Sequence, residues 1–278
     1  MSHFSVLVIG RGVDEQLEPY DENKEVSPYK RKCWCINSNA SKYARDKVEK
    51  EYKTIDTLRE EFKKEKDQSN GNWQKFIKHY FDLEKKYAKE HPEYNKPDPK
   101  CKSCKGTGKE TTTYNKDSKW DWYQIGGRWA GMFLLKKNAK TGSRGDKSLL
   151  MEKDPYSNNG FDSAQKKDID FEAMQNNTKD VEYYSKNWDE SMTGKGFYKP
   201  EYYKERYGTK ENYIKSVMKF TTFAVVRDGE WFEKGKMGWW GMSSETPKEE
   251  KKWEEGFFKE FIKSLPDNTR LTIVDCHI

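Results

Sequence analysis

The sequence predicts an α+β protein: a central sheet that includes both terminal strands, one packed C-terminal helix, an inserted zinc-clasped helical hairpin and a polar insertion. Three observations lead there. Short apolar runs stand at the two ends, FSVLVIG at 4–10 and TRLTIVDCHI at 269–278, each the length of a buried strand. Asp228-Gly229 sits between the strand-like halves of MKFTTFAVVRDGEWFEKG, a strong hairpin signal. Residues 40–67 and 72–91 carry apolar side chains at helical spacing, the mark of amphipathic helices.

Taken in order, the first strand stops at Gly10, and RGVDEQLEPYDENKEVSPYK reads as an irregular loop. The first long helix aligns Tyr43, Val48, Tyr52, Ile55, Leu58 and Phe62. The second aligns Trp73, Phe76, Ile77, Tyr80, Phe81, Leu83 and Tyr87. The turn composition DQSNGN between them predicts an antiparallel hairpin, and the prolines of HPEYNKPDP stop the second helix. KWDWYQIGGRWAGMFLL ends in an expected strand over 129–135. The Lys-, Asn- and Tyr-rich stretch 137–219 is expected to form a subdomain packed through its tyrosines, with short helices around 165–176 and 210–218. Thr246-Pro247-Lys248-Glu249 supplies an N-cap, a proline at the first helical position and a capping-box glutamate. The helix it opens should bury Trp253, Phe257, Phe258, Phe261 and Ile262. The expected organisation is a core of 1–36, 101–136 and 220–278, a helical hairpin at 37–100 and an insertion at 137–219.

Of 278 residues, 36% are charged and 15% aromatic, so the core has to be built largely from rings. No run approaches the roughly 20 apolar residues of a membrane span, and MSHFSVLVIG lacks a basic leader region and a cleavage site. A protein of the cytoplasm, without a membrane partner, is expected. The net charge of +6 is spread among mixed signs. KVEKEYKTIDTLREEFKKEKD therefore reads as a solvated helix face or, alternatively, a nucleic-acid groove.

Cys33, Cys35, Cys101 and Cys104 form two close pairs flanking the predicted hairpin. An antiparallel hairpin returns the chain to its start, so four thiolates could meet as a closed, structural Zn2+ site. Four free thiols or a redox pair are the alternatives. The second pair continues as CKSCKGTG and resembles one repeat of the DnaJ cysteine-rich zinc domain, over eight residues and without the other three repeats, so no chaperone role follows.

In WDWYQIGGRWAG, Gly126 and Gly127 free the backbone for a close approach. Arg128 offers a planar fork of donors, Asp121 could orient it, and Trp120, Trp122, Tyr123 and Trp129 supply stacking faces. Trp239 and Trp240 in MGWWG have the same character. This set suits a phosphate, a carboxylate or a nucleobase, or else is a packing device around a turn. In the last strand Asp275 and His277 share a face. If the terminal strands are neighbours, His3 joins them, with Tyr20 or Asp21 nearby. Such a group could hold a catalytic metal, perform acid/base work on a phosphodiester, or form a structural pair.

MSHFSVLVIG, PYDEN at 19–23, CxxCxGxG at 101–108, YNKDSKWDWYQIGGRW at 114–129, KGKMGWWG at 234–241 and TIVDCHI at the end together resemble an uncharacterised family encoded by phages and bacterial mobile elements. The resemblance implies an accessory phage gene acting in the cytoplasm of the infected host cell, and it assigns no catalytic residue. The expected function is accordingly non-enzymatic: inhibition of a host anti-phage defence system by binding a defence protein complex, a CRISPR effector or a Gabija-type nuclease. Tyrosines such as Tyr183 and Tyr184 would serve as anchors. The first alternative is a nucleotide-signal binding or phosphodiester-cleaving protein that uses the Arg128/Trp cluster with His3, Asp275 and His277. The second is a nucleic-acid-binding protein. Assembly into a homo-oligomer stays open.

Overall fold

A computed structural model describes residues 2–52, 57, 60, 73–145, 160–196, 199–238 and 243–278. In chain order its elements are β1 (His3–Ile9), α1 (Val13–Leu17), β2 (Tyr29–Lys32), α2 (Ser38–Tyr52), α3 (Trp73–Glu90), β3 (Lys109–Thr112), β4 (Trp122–Ile125) and β5 (Ser163–Gln165). They continue with α4 (Phe171–Gln175), α5 (Thr178–Met192), α6 (Pro200–Tyr207), α7 (Lys210–Val217), β6 (Ala224–Arg227), β7 (Glu230–Glu233), α8 (Pro247–Phe257) and β8 (Arg270–His277). The fold is α+β, and the chain divides into two compact units, residues 1–25 with 114–278, and residues 26–113.

The larger unit is built on a mixed sheet in the order β4-β8-β1-β6-β7. β1 pairs antiparallel with β8 from His3↔His277 to Ile9↔Leu271 and parallel with β6 on its other side. The free edge of β8 is shared: β5 takes its first residues and β4 its last. Burial on both faces explains why β1 is a continuous apolar run. Strand alternation sends Leu7, Ile9, Leu271 and Ile273 to one face, where Phe257, Phe261 and Ile262 cover them together with Phe133 and Ile169. Phe4, Val6, Val8, Val274 and Cys276 line the other face with Leu17 and Trp120. Each large apolar side chain fully buried here contributes about 1.5–3 kcal/mol.

Local signals hold at both ends of that core. Asp228 (φ 54°) and Gly229 (φ 77°) are both left-handed, the turn whose twist matches a two-residue hairpin. At α8, Glu249 N–H donates to Thr246 Oγ1 at 3.3 Å, and Thr246 N–H donates to Glu249 Oε2 at 2.7 Å, a complete capping box. The helix widens into a π-turn over Phe258–Lys263. Phe258 is exposed, contrary to expectation: about 100° around the helix from Phe257, it leans on Phe171 instead of entering the core.

Three further expectations are corrected. The segment read as irregular after Gly10 contains α1 and β2. No strand forms at 129–135: the strand lies earlier, at Trp122–Ile125, because Gly126 (φ 79°) and Gly127 (φ 51°) turn the chain out of the sheet. Phe133 and Leu135 make only single bridges, to Phe161 and Ile169. The stretch 137–219 is no separate projection, since β5 joins the sheet and Ile169 joins its core. Its later part does pack through rings, with Trp188, Tyr203 and Tyr213 buried among Tyr184 and Tyr207 as α5, α6 and α7 meet. The helix α5 has Val181, Tyr184, Trp188 and Met192 at helical spacing, a period visible in the sequence but not read there.

The smaller unit contains the helical pair α2 and α3. Its seam is Ala40, Ala44 and Val48 against Tyr87 and Ala88, small residues one turn apart that let the helix backbones approach. The larger Tyr43 and Phe81, expected inside, are exposed. The side chains of Tyr52, Ile55, Leu58, Phe62, Trp73, Phe76 and Ile77 lie outside the described residues.

Candidate functional site

Register places the candidate residues before any side chain is considered. β8 sits between β1 and β4, with His277 opposite His3 on one side and opposite Trp122 on the other. Asp275, two residues earlier, therefore lies on the same face as His277. The three rings form a triangle: His3 meets His277 edge-on with centroids 4.9 Å apart, Trp122 stacks on His277 at 5.1 Å with planes 19° apart, and His3 meets Trp122 edge-on at 5.3 Å.

Each imidazole has its own carboxylate. His3 Nδ1 lies 2.9 Å from Asp275 Oδ1, and His277 Nδ1 lies 2.6 Å from Asp121 Oδ1. An ionised carboxylate can only accept, so each Nδ1 donates. Neither Nε2 has a partner among the described residues; His277 is buried and the His3 side chain is 12% exposed. Asp275 is 2% exposed and Asp121 is the more open partner. The second oxygen of Asp275 accepts the Arg128 N–H at 3.0 Å, while Asp121 is fixed by its N–H to the His277 carbonyl (3.0 Å) and by Asn23 Nδ2 to its own carbonyl (2.8 Å).

The glycine pair acquires a specific cause. A Cβ on Gly126 would come within 2.6 Å of the Asp162 carboxyl carbon, and one on Gly127 within 2.4 Å of Asp275 Cβ. The two glycines thus make room for two buried carboxylates, one of which orients His3. Asp162 was not among the expected residues. It holds the Gly131 and Gly145 N–H groups, each at 2.6 Å, and anchors the loops on either side.

The aromatic block does not form one pocket. Trp122 packs against both histidines, whereas Trp120 and Tyr123 pack on the opposite face of the sheet. There Trp120 Nε1 donates to the Leu17 carbonyl at 3.2 Å, and the Tyr123 hydroxyl binds Asp14. Trp129 packs against the helix-covered core. The Arg128 side chain is exposed beside the Asp275 pair, and Asp121 is engaged with His277. Tyr20 packs on Trp231 and donates to the Gly229 carbonyl, away from the histidines, and Asp21 binds Asn23. Trp239 and Trp240 lie outside the described residues.

In the smaller unit, the β2–β3 ladder runs from Tyr29↔Thr112 to Lys32↔Lys109, which sets Cys33 beside Gly108, its N–H on the Gly108 carbonyl at 2.9 Å. Cys33, Cys35, Cys101 and Cys104 are all buried, with sulfurs within 4.8 Å of one another. The pairs Cys33–Cys101 and Cys35–Cys104 are 3.7 and 3.4 Å apart. Four sulfurs held at about 2.3 Å by one ion stand about 3.8 Å apart, so the set could hold a metal ion. Lys105 (φ 49°), Gly106 and Gly108 turn the chain around the second pair. The Cys104 N–H lowers the Cys101 thiol to about 7 in spite of its burial, whereas burial and the neighbouring Cys104 sulfur push Cys35 up. Among the described residues these cysteines are the group that converges to metal-binding distance; His3, His277 and Asp275 do not form such a group. No described helix is long and apolar enough to cross a membrane. Comparison of the chain with family models, curated proteins and solved structures finds no match.

Proposed function

We propose that the protein binds a nucleotide and cleaves its phosphodiester by acid–base chemistry, as a phage accessory activity directed at a host nucleotide signal. One observation carries this reading: two imidazoles side by side, each with Nδ1 held by its own carboxylate and Nε2 without a partner among the described residues. One neutral ring takes the proton from the attacking hydroxyl as the new P–O bond forms. The other ring, protonated, gives its proton to the departing oxygen as the old P–O bond breaks. Each carboxylate fixes the tautomer and stabilises the imidazolium, the role such a partner has in hydrolytic triads. Exposed Trp122 offers a stacking surface, and Arg128 emerges from the backbone atom that Asp275 holds.

The test is incubation of the whole protein with cyclic and linear di- and oligonucleotides, read by mass spectrometry. Turnover should fall about 10²–10⁴-fold in His3→Ala and in His277→Ala, as for loss of a general acid or base. Absence of turnover by the wild-type protein, or equal turnover in the variants, would refute it.

The ion we assign to the four cysteines is Zn2+ in a closed, structural role, because four thiolates leave no open position. Elemental analysis should find one equivalent per chain.

A second reading, inhibition of a host defence complex by direct binding, is favoured by aromatic side chains left in solvent, Trp34 at 71% and Tyr183 at 61% exposure. Under it, Trp34→Ser and Tyr183→Ser abolish protection of a phage in defended cells while His3→Ala does not. The phosphodiester reading gives the reverse.

A further inference from the structure

We propose a second ligand site at the other end of β8: a cleft that binds a phosphate-bearing molecule of mononucleotide size. It stands apart from the histidine cluster. β8 enters the sheet at Arg270 and leaves it at His277, roughly 23 Å along an extended chain. The cleft has a volume of about 460 Å³, and its described walls include Arg11, Arg144 and Arg270 but neither aspartate nor glutamate. Arg11 and Arg270, gathered in one concavity and neither ion-paired to a described carboxylate, repel one another, and a bound polyanion relieves that repulsion.

Arg11 and Arg270 are positioned and still have donors to give. Gln16 Nε2 donates to the Ile9 carbonyl at 3.1 Å and to the Arg11 carbonyl at 2.9 Å. This pins the backbone of the Gly10-Arg11-Gly12 turn, while the Arg11 guanidinium has no partner among the described residues. Arg270 uses two of its five N–H donors, to the Thr141 carbonyl at 3.2 Å and to Ser143 Oγ at 2.8 Å, and forms no ion pair with a described carboxylate. Arg144 donates Nε to the Gly160 carbonyl at 3.0 Å with its plane over the Phe161 ring.

Asp14 binds the Tyr123 hydroxyl and Asp162 accepts the Gly131 and Gly145 N–H groups, while the Glu15 carboxylate lies against Gly12 in the cleft wall. Guanidinium forks match phosphate oxygens. The volume falls in the range of small-molecule sites and exceeds what one inorganic ion fills, and Gln165 and Asn268 in the wall suit the polar groups of a nucleoside.

The test titrates the whole protein with inorganic pyrophosphate and with ADP at low salt and without divalent metal, by calorimetry. Saturable one-to-one binding is expected for both, tighter for ADP. Arg11→Gln and Arg270→Gln should each weaken it about tenfold, the size of one charge-assisted hydrogen bond, and Arg270→Lys should weaken it less than Arg270→Gln. Binding should be unchanged in His3→Ala, so that failure of the histidine reading and failure of this one are separate results. No saturable binding of either probe by 1 mM, binding indifferent to both arginine variants, ADP no tighter than pyrophosphate, or loss of binding in His3→Ala would each overturn the proposal.

Discussion

Each unit of this protein buries a polar cluster, and the two clusters are built in opposite ways. In the smaller unit four thiols face one another, covered on all sides and close enough to share one ion. In the larger unit two imidazoles are each tied at Nδ1 to a carboxylate, with no partner at Nε2 among the described residues. A closed ligand set fixes a structure. A held ring with one free nitrogen can move a proton. On the proposed readings, the first group holds a chain together and the second acts on something else.

The comparison breaks most decisively at the cysteines. Cys101→Ser with Cys104→Ser should unfold the smaller unit, since a structural zinc site supplies about 10–16 kcal/mol of binding free energy to small domains. Circular dichroism should lose the helical signal of α2 and α3, and the sheet unit should keep its own unfolding transition. A single loss of all structure would mean that the units are not independent.

Gly127→Ala tests the other cluster from the backbone. The added methyl needs a left-handed backbone and meets Asp275 at 2.4 Å, which should cost about 2–4 kcal/mol of stability. Turnover should fall as far as in His3→Ala, because the carboxylate that holds the ring is displaced. Asp121→Asn keeps an acceptor for His277 but removes the charge. It should lower turnover about 10–100-fold and shift stability by less than about 1 kcal/mol, because the partner is half-exposed.

The smallest effect is expected at the cap of α8. Thr246→Ala should cost about 1 kcal/mol through loss of the cap. The Glu249 carboxyl is held below its ordinary value, first by the Thr246 N–H and then by the Thr246 hydroxyl. Its contribution to stability is therefore present above the unfolded carboxylate value and lost as pH falls through the depressed one. The variant should show a weaker loss over that acid range in thermal melts.

What could be read from the sequence followed the range of the forces involved. Local signals succeeded: the Asp228-Gly229 turn, the Thr246 capping box and the apolar terminal strands each depend on a few adjacent residues. The convergence of the cysteine pairs was legible because a pair of packed helices between them returns the chain to its start. Failures arose where a distant group decides. Gly126 and Gly127 end the strand before residue 129 because Asp162 and Asp275 fill the space beside them, and no local pattern announces those carboxylates. Asp121 was assigned to Arg128, seven residues away, but pairs with His277 across the β4–β8 ladder. Tyr43 looked like core because it is large and apolar in part, whereas the helix seam selects alanines.

The pH dependence of turnover tests the central claim most directly. If His3 and His277 share the work as base and acid, kcat/KM on a cleaved dinucleotide is bell-shaped in the wild-type protein, and each single histidine variant loses one limb together with most of its rate. A profile that keeps both limbs in His3→Ala and His277→Ala, at wild-type rate, would contradict the account.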